Sequence, residues 1–401
     1  MEIMEMLLSF QDFAIGISFT LLMMLAISHS GKDYKPYLKS KYCLLASMAL
    51  LLIQFSIQRF GMLRMQTDYS VALIVNIAFF MPVAYLIEDV GLILLTNDNV
   101  PKRFHVISAL LYSITLAFAV CNIFASDAHS GMARAAQIAC GAGFLLHLII
   151  SYRFTIKAYY NLKHNLDNFY DYDTEQMIAY LKHSSALTMI VGLLAPIVII
   201  TNFHDAVTIL IGAFGVTIIY FTTRFIGYEK AIKKVTAATL PFDDVDYSDT
   251  FSVGVSEDNA TDNRTTPQTS PSIDYSRINE LLNVDEDSNA LSRQLVNWVK
   301  QKKHLRKNLT IVMLADDLDT NQKYLSRYFG EVLHTTFREW LNELRMQDAK
   351  IMLLDDNNLT IENIAQECGF GSRTHFHSIF VKKCGMTPSQ FRSENSYHYQ
   401  D

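Results

Sequence analysis

Residues 368–384 read CGFGSRTHFHSIFVKKC, with a cysteine at each end and two histidines between them. Thiolate and imidazole are common zinc ligands, so Cys368, His375, His377 and Cys384 invite a metal site. The period of the stretch opposes that reading. On a helix turning about 100° per residue, His375 and His377 point about 160–200° apart and cannot both reach one ion. With Arg373 at the origin of the same wheel, His375, Phe376, Ile379 and Phe380 share one arc. Arg373, Thr374, His377 and Ser378 share the other. The first arc packs; the second presents the donors and acceptors needed to read base edges in a major groove. No metal and no cofactor is expected.

Two similar blocks would position such a helix. The first is LTIVMLADDLDTNQKYLSRYFG, with Thr310 as a helix cap, a turn at Asp319–Thr320 and Asn321 capping a second helix. The second is LTIENIAQECGFGSRTHFHSIF, with Thr360 as cap and Gly369 as stop. Helix, tight turn and helix, with an alanine one turn before the bend, describes a helix-turn-helix. In the first block Gln322, Lys323, Ser326 and Arg327 turn outward. Arg327 is the best guanine reader, because its fork reaches O6 and N7 together. The same residues would also serve as ordinary solvated side chains. Between the blocks, FREWLNELRMQDAKIMLL reads as one long helix joining both units. After them, Thr387, Pro388 and Gln390 form a capping box. Ahead of them, 291–305 reads as a further helix ending in the basic run KQKKHLRK, either a solvated end or a phosphate contact.

These pieces carry a resemblance. YLSRYF, LRMQDAKIML, IENIAQECGF, HFHSIF and KKCGMTPSQFR occur in the order found in the DNA-binding domain of AraC/XylS-family transcription regulators, so residues 300–393 resemble that domain. The resemblance implies a two-unit helix-turn-helix fold and double-stranded DNA as partner. It places Gln322, Lys323, Ser326, Arg327, Arg373, Thr374, His377 and Ser378 at base- and phosphate-contacting positions. It implies packed apolar surroundings for Cys368 and Cys384. The sequence departs from the family in three places. His334 stands where glycine is usual, Cys384 replaces an aromatic residue, and Ser378 replaces a frequent arginine.

The preceding 230 residues are of another kind. Seven apolar stretches, at 6–28, 41–60, 70–95, 104–124, 133–153, 184–203 and 205–226, are each about the 20 residues that cross a bilayer. With the N-terminus outside, the inner loops and the flank after the last stretch hold 14 Lys+Arg, and the outer loops hold only Arg59, Arg64 and Arg134. That bias predicts a multi-pass inner-membrane topology with a cytoplasmic C-terminus. The first stretch has no cleavage site and reads as a retained anchor. Ala135, Ala139 and Gly143 predict close helix packing. Glu88, Asp89 and His147 lie within spans, where ionisable groups are costly and often functional. Alternatively, Glu88 and Asp89 sit at the inner interface. At the outer end, Asn202, His204 and Asp205 would rim a ligand pocket or simply end wet loops.

Charge divides the chain. Residues 1–240 hold 17 Lys+Arg against 15 Asp+Glu, 241–290 hold 2 against 12, and 291–401 hold 15 against 13, so the net −6 lies in the middle. That middle is rich in Asp, Ser, Thr and Asn and predicts a disordered acidic tether, reaching about 40 Å over 50 residues. The five cysteines form no disulfide framework. The expected chain is therefore all-α: a seven-span sensor domain at 1–230, a disordered linker at 231–288 and a double helix-turn-helix domain at 289–401. The expected function is a membrane-bound, sequence-specific transcription regulator and not an enzyme. Its expected partners are DNA, the bilayer, a small-molecule or membrane signal and a second copy of the chain. The rival readings are a transporter or membrane enzyme that sequesters its own regulator, and a tail reduced to a protein-interaction module.

Overall fold

The structure, a computed structural model, describes residues 2–28, 34–61, 70–121, 131–194, 204–239, 290–355 and 359–396. Every regular element among them is helical, which makes the architecture all-α. The expected linker, 231–288, is helical as far as Thr239, where the last helix of the first unit ends, and its remainder, 240–288, lies outside the described residues. Two compact units divide the chain: residues 1–163 with 175–239, and residues 164–174 with 240–401.

The first unit contains α1 (Glu2–Ile27), α2 (Lys35–Phe60), α3 (Ser70–Thr96), α4 (Lys102–Cys121), most of α5 (Gly131–Phe169), α6 (Glu175–Gly192) and α7 (His204–Thr239). Among the described residues, six stretches are long and apolar enough to cross a membrane: Ser9–Ile27, Lys35–Phe60, Leu73–Thr96, Lys102–Cys121, Gly131–Phe169 and Leu210–Glu229. They match six of the seven expected spans. The remaining one, 184–203, begins in α6 and runs into 195–203, outside the described residues.

Helix α4 of this unit is amphipathic in reverse. On α4, Phe104, Ser108, Thr115 and Ala119 are buried, while Val106, Leu110, Ile114 and Phe118 are exposed. Hydroxyls turned inward can bond to their own helix, as Thr115 Oγ1 does to the Leu111 carbonyl at 2.7 Å. Close packing is narrower than the expected four-residue pattern. A Cβ on Gly143 would collide with Thr115, so only glycine lets α4 and α5 approach there. Ala135, two steps earlier, is exposed, and Ala133 and Ala136 are buried instead. A four-residue step advances about 40° beyond a full turn, so the two steps from 135 to 143 swing the side chain about 80° around the helix.

The second unit contains α8 (Ala290–Lys300), α9 (Ile311–Asp317), α10 (Gln322–Glu331), α11 (Phe337–Leu354), α12 (Ile361–Glu367), α13 (Arg373–Cys384) and α14 (Pro388–Ser396). It has two cores joined by one helix. Phe337, Trp340, Leu341 and Leu344 place the first half of α11 in a core with Leu295, Trp298, Leu314, Leu325 and Phe329. Met346, Ala349 and Leu353 place the second half in a core with Ile364, Phe370, Phe376 and Phe380. The apolar positions of α11 follow the helical period throughout, so one rigid element fixes both cores.

Candidate nucleic-acid interface

Each helix-turn-helix is set by its caps. Thr310 accepts from the Met313 N–H, Asn321 from Tyr324, Thr360 from Asn363 and Ser372 from His375, at 2.7–3.3 Å. Each cap satisfies a donor that the first helical turn leaves without an intrahelical partner. The turns repeat closely. Thr320 N–H donates to the Ala315 carbonyl at 3.0 Å, and Phe370 N–H to the Ala365 carbonyl at 2.9 Å. In both, the preceding residue is left-handed: Asp319 at φ 50° and Gly369 at φ 78°. Thr336 and Glu339 close a capping box on α11, and Thr387 and Gln390 close another at α14.

The two candidate reading helices share a register. Shifting by 51 residues carries Gln322, Lys323, Ser326 and Arg327 onto Arg373, Thr374, His377 and Ser378. The structure leaves Lys323, Arg327, Arg373, Thr374, His377 and Ser378 exposed, and Gln322 and Ser326 half-buried. On the inner faces, Leu325, Tyr328 and Phe329 match Phe376, Ile379 and Phe380. Phe376 and Phe380 are fully buried, with ring centroids 5.6 Å apart.

Arg327 is held near the place from which it would read. Its Nε lies 3.6 Å from Glu331 Oε2 one turn on, and its guanidinium sits 6.0 Å from the Tyr324 ring centroid. The basic run ahead of the first unit is less open than its letters imply. His304 is buried and bonded to Asp348 at 2.6 Å, and Arg306 pairs with Asp317, which also accepts from Trp298 Nε1 at 2.8 Å. Exposed Lys300, Lys302 and Lys307 are what that run offers to a phosphate.

The cysteine–histidine stretch is a packed helix. Cys368 is buried, its Sγ lies 3.7 Å from Met352 Sδ, and burial pushes its thiol up to about 12. His375 meets the Phe370 ring edge-on, while His377 faces out. Among the described residues, no three His, Cys, Asp or Glu side chains gather as a metal ion would need.

The other unit separates its candidate residues. Glu88 is buried and accepts from Thr155 at 3.0 Å and from Ser185 at 3.1 Å. Asp89 lies 3.9 Å from His105, whose Nδ1 meets the Tyr85 hydroxyl at 2.8 Å. His147 is buried, and its Nδ1 has no hydrogen-bond partner among the described residues. Thr155, Ser185 and His105 were not among the candidates. The signal for Thr155 was a polar stripe, His147–Ser151–Thr155, at helical spacing on α5. Asn202 lies outside the described residues, and His204 and Asp205 are described only as the start of α7.

Comparison with known proteins agrees with this geometry. Residues 314–394 match the sequence family described as a helix-turn-helix domain. The HTH-type transcriptional activator RhaR of Escherichia coli (strain K12) is 30% identical over 92 residues, which cover 23% of this chain and 32% of RhaR. The RhaR of Shigella flexneri serotype 5b gives the same figures. The chain thus spans about a third of the length of the curated relatives it matches. No solved structure matches it. The C-terminal domain is a helix-turn-helix domain of the AraC type, a DNA-binding class of transcription regulator domain.

Proposed function

We propose that this chain is a membrane-bound transcription regulator. Its AraC-type domain binds promoter DNA at the cytoplasmic face, and the preceding helices sense a small-molecule or membrane signal. The observation that carries the DNA-binding half is the 51-residue register between two capped helices, each turning four polar side chains outward. The observation that carries the membrane half is the reversed amphipathicity of α4, with hydroxyls inside and Val106, Leu110 and Ile114 outside. Water would not tolerate such a stripe, whereas hydrocarbon is its natural solvent. The charge bias supports an inner-membrane placement with the N-terminus outside and both the 154–183 segment and the C-terminal domain in the cytoplasm. Glu88, with Thr155 and Ser185, is the best-formed polar cluster for a signal to engage.

The test is selection of DNA from a random pool by the full-length protein in nanodiscs, alongside membrane fractionation. Recovery of one enriched sequence by a membrane-fraction protein supports the reading. A protein that sediments with membranes and enriches no sequence would reject the DNA-binding half. An enriched sequence from a protein free in the soluble fraction would reject the membrane half.

A further inference from the structure

Residues 164–174, the end of α5 and its link to α6, belong to the compact unit that holds the DNA-binding domain. Their contacts are of several kinds. Tyr170 pairs with Thr310 in an isolated antiparallel bridge. Asp171 N–H donates to the Leu309 carbonyl at 3.2 Å, and Leu309 N–H donates to Asp171 Oδ2 at 2.9 Å. Asn168 Oδ1 accepts from Phe337 N–H at 3.3 Å, taking up one of the spare donors that open α11. Arg338 lies 2.8 Å from Asp167 and 3.6 Å from Asp173. Arg345, buried, reaches Asp171 at 2.9 Å. Phe169 packs on the first core.

We propose that residues 167–173 are an intramolecular acidic ligand of the DNA-binding domain, and that their docking restrains DNA binding. This rests on the DNA-binding reading above. Charge sets the direction. Residues 291–401 hold 15 Lys+Arg against 13 Asp+Glu, and docking adds Asp167, Asp171 and Asp173, which turns the +2 of residues 291–401 into −1. DNA affinity and steering both depend on that charge. The segment also occupies groups of the kind that hold phosphate, namely a spare N–H at a helix start and the arginine beside it. The positive-inside bias independently favours the 154–183 segment lying on the same side as the C-terminal domain. Asp167, Asn168 and Phe169 form the last turn of α5, so a change at the end of that helix passes to the ligand through the chain itself.

The experiment pairs Tyr170→Cys with Thr310→Cys in the full-length protein in nanodiscs. Residues facing each other across an antiparallel bridge have Cα atoms about 4.5–5.5 Å apart, within disulfide range. Mild oxidation is expected to form the intrachain disulfide and to weaken binding to the selected DNA by at least about fivefold, with recovery on reduction. Each single-cysteine variant is expected not to respond. Failure of a folded pair to oxidise overturns the docking. Equal affinity in the two redox states overturns the restraint. No DNA bound in the reduced state removes the underlying DNA-binding reading. Should the cysteine pair misfold, Asp167→Asn with Asp173→Asn gives a second arm. Severalfold tighter DNA binding is expected, and unchanged or weaker binding overturns the proposal.

Discussion

Arg345 Nη2 and Asp171 Oδ2 meet at 2.9 Å across 174 residues of sequence, and neither side chain keeps more than 3% of its exposure. The guanidinium also donates to the carbonyls of His304 at 2.9 Å and Arg306 at 2.6 Å. Burial disfavours charge on both partners, raising the Asp171 carboxyl and lowering Arg345, while each pulls the other the opposite way. Removing one partner of a buried pair costs about 3–5 kcal/mol, because the remaining charge is stranded. Asp171→Ala is therefore expected to release the segment and expose the backbone that it covers. Hydrogen exchange at the Leu309 and Phe337 amides, bonded to Asp171 and Asn168, reads this directly. Protection should fall by about a hundredfold or more. Unchanged exchange would show that Asp171 does not hold the segment.

Two glycines of the second unit are left-handed for different reasons. Gly369 stands at φ 78° and Gly385 at φ 73°. A Cβ at 369 would run into the Leu305 carbonyl, whereas one at 385 meets nothing within 4 Å. Gly385→Ala should cost only the left-handed strain, about 1–2 kcal/mol. Gly369→Ala should cost clearly more, because backbone must move as well. Denaturation followed by tryptophan fluorescence measures both, since both tryptophans of the chain, Trp298 and Trp340, lie in the first core of this unit. Equal losses would refute the steric account.

His334 shows how a departure from the family is tolerated. It adopts φ 49°, the conformation for which glycine is usual at that place. Left-handed strain of about 1–2 kcal/mol is set against the extra entropy that glycine loses on folding, about 0.5–1 kcal/mol. His334→Gly should therefore stabilise the unit by about 0.5–1 kcal/mol, whereas His334→Val should destabilise it, since a β-branched residue fits this region worst. The same fluorescence melts decide the order. A glycine variant less stable than wild type would show that the imidazole makes a contact worth more than the strain.

The imidazole of His375 adds a pH dependence. Burial lowers its proton affinity, with Arg338 and Arg345 acting in the same sense and Asp173 against them. The unfolded chain takes up the proton near the ordinary value of about 6.5, the folded unit only at lower pH. Between those points the unfolded state binds more protons, so stability is complete above the ordinary value and falls as the pH falls. His375→Phe keeps the edge-on ring contact with Phe370 and removes the titration. The gap in melting temperature between pH 7.5 and pH 5 should shrink in the variant. An identical gap would exclude His375 as its source.

What could be read in advance was local. The two faces of α13 follow from a 3.6-residue period acting on Phe376, Ile379 and Phe380, and the caps follow from Thr310, Asn321, Thr360 and Thr387 at fixed offsets. Apolar length alone located six of the membrane-length helices. Tertiary pairing stayed hidden. Asp167, Asp171 and Asp173 look like a wet acidic loop until Leu309, Arg338 and Arg345, 138 to 174 residues away, are brought to them. The partners of Glu88 were likewise missed, because serine and threonine inside an apolar helix usually bond to their own backbone. Thr115 and Thr188 do so, and Thr155 and Ser185 do not. His304 was read as part of a basic run because its partner, Asp348, lies on another helix.

Glu331 holds the Arg327 guanidinium, for which bound DNA would have to compete. Both are well exposed, at 65% and 72% of their side-chain surface, so the pair is weak and DNA can break it. Arg327→Ala should lower affinity for the selected sequence by about 1–3 kcal/mol and relax preference at one base pair, as loss of a bidentate guanine contact does. Lys323→Ala, one turn earlier on the same exposed face, should weaken all sequences alike and flatten the salt dependence by about one counterion. Glu331→Gln should act in the opposite sense, since it frees the arginine and removes a negative charge beside the duplex. Titration of full-length protein against the selected sequence and a single-base variant at two salt concentrations separates the three. If Arg327→Ala and wild type discriminate the two sequences equally, the base is read elsewhere, and the register points next to Arg373 and His377.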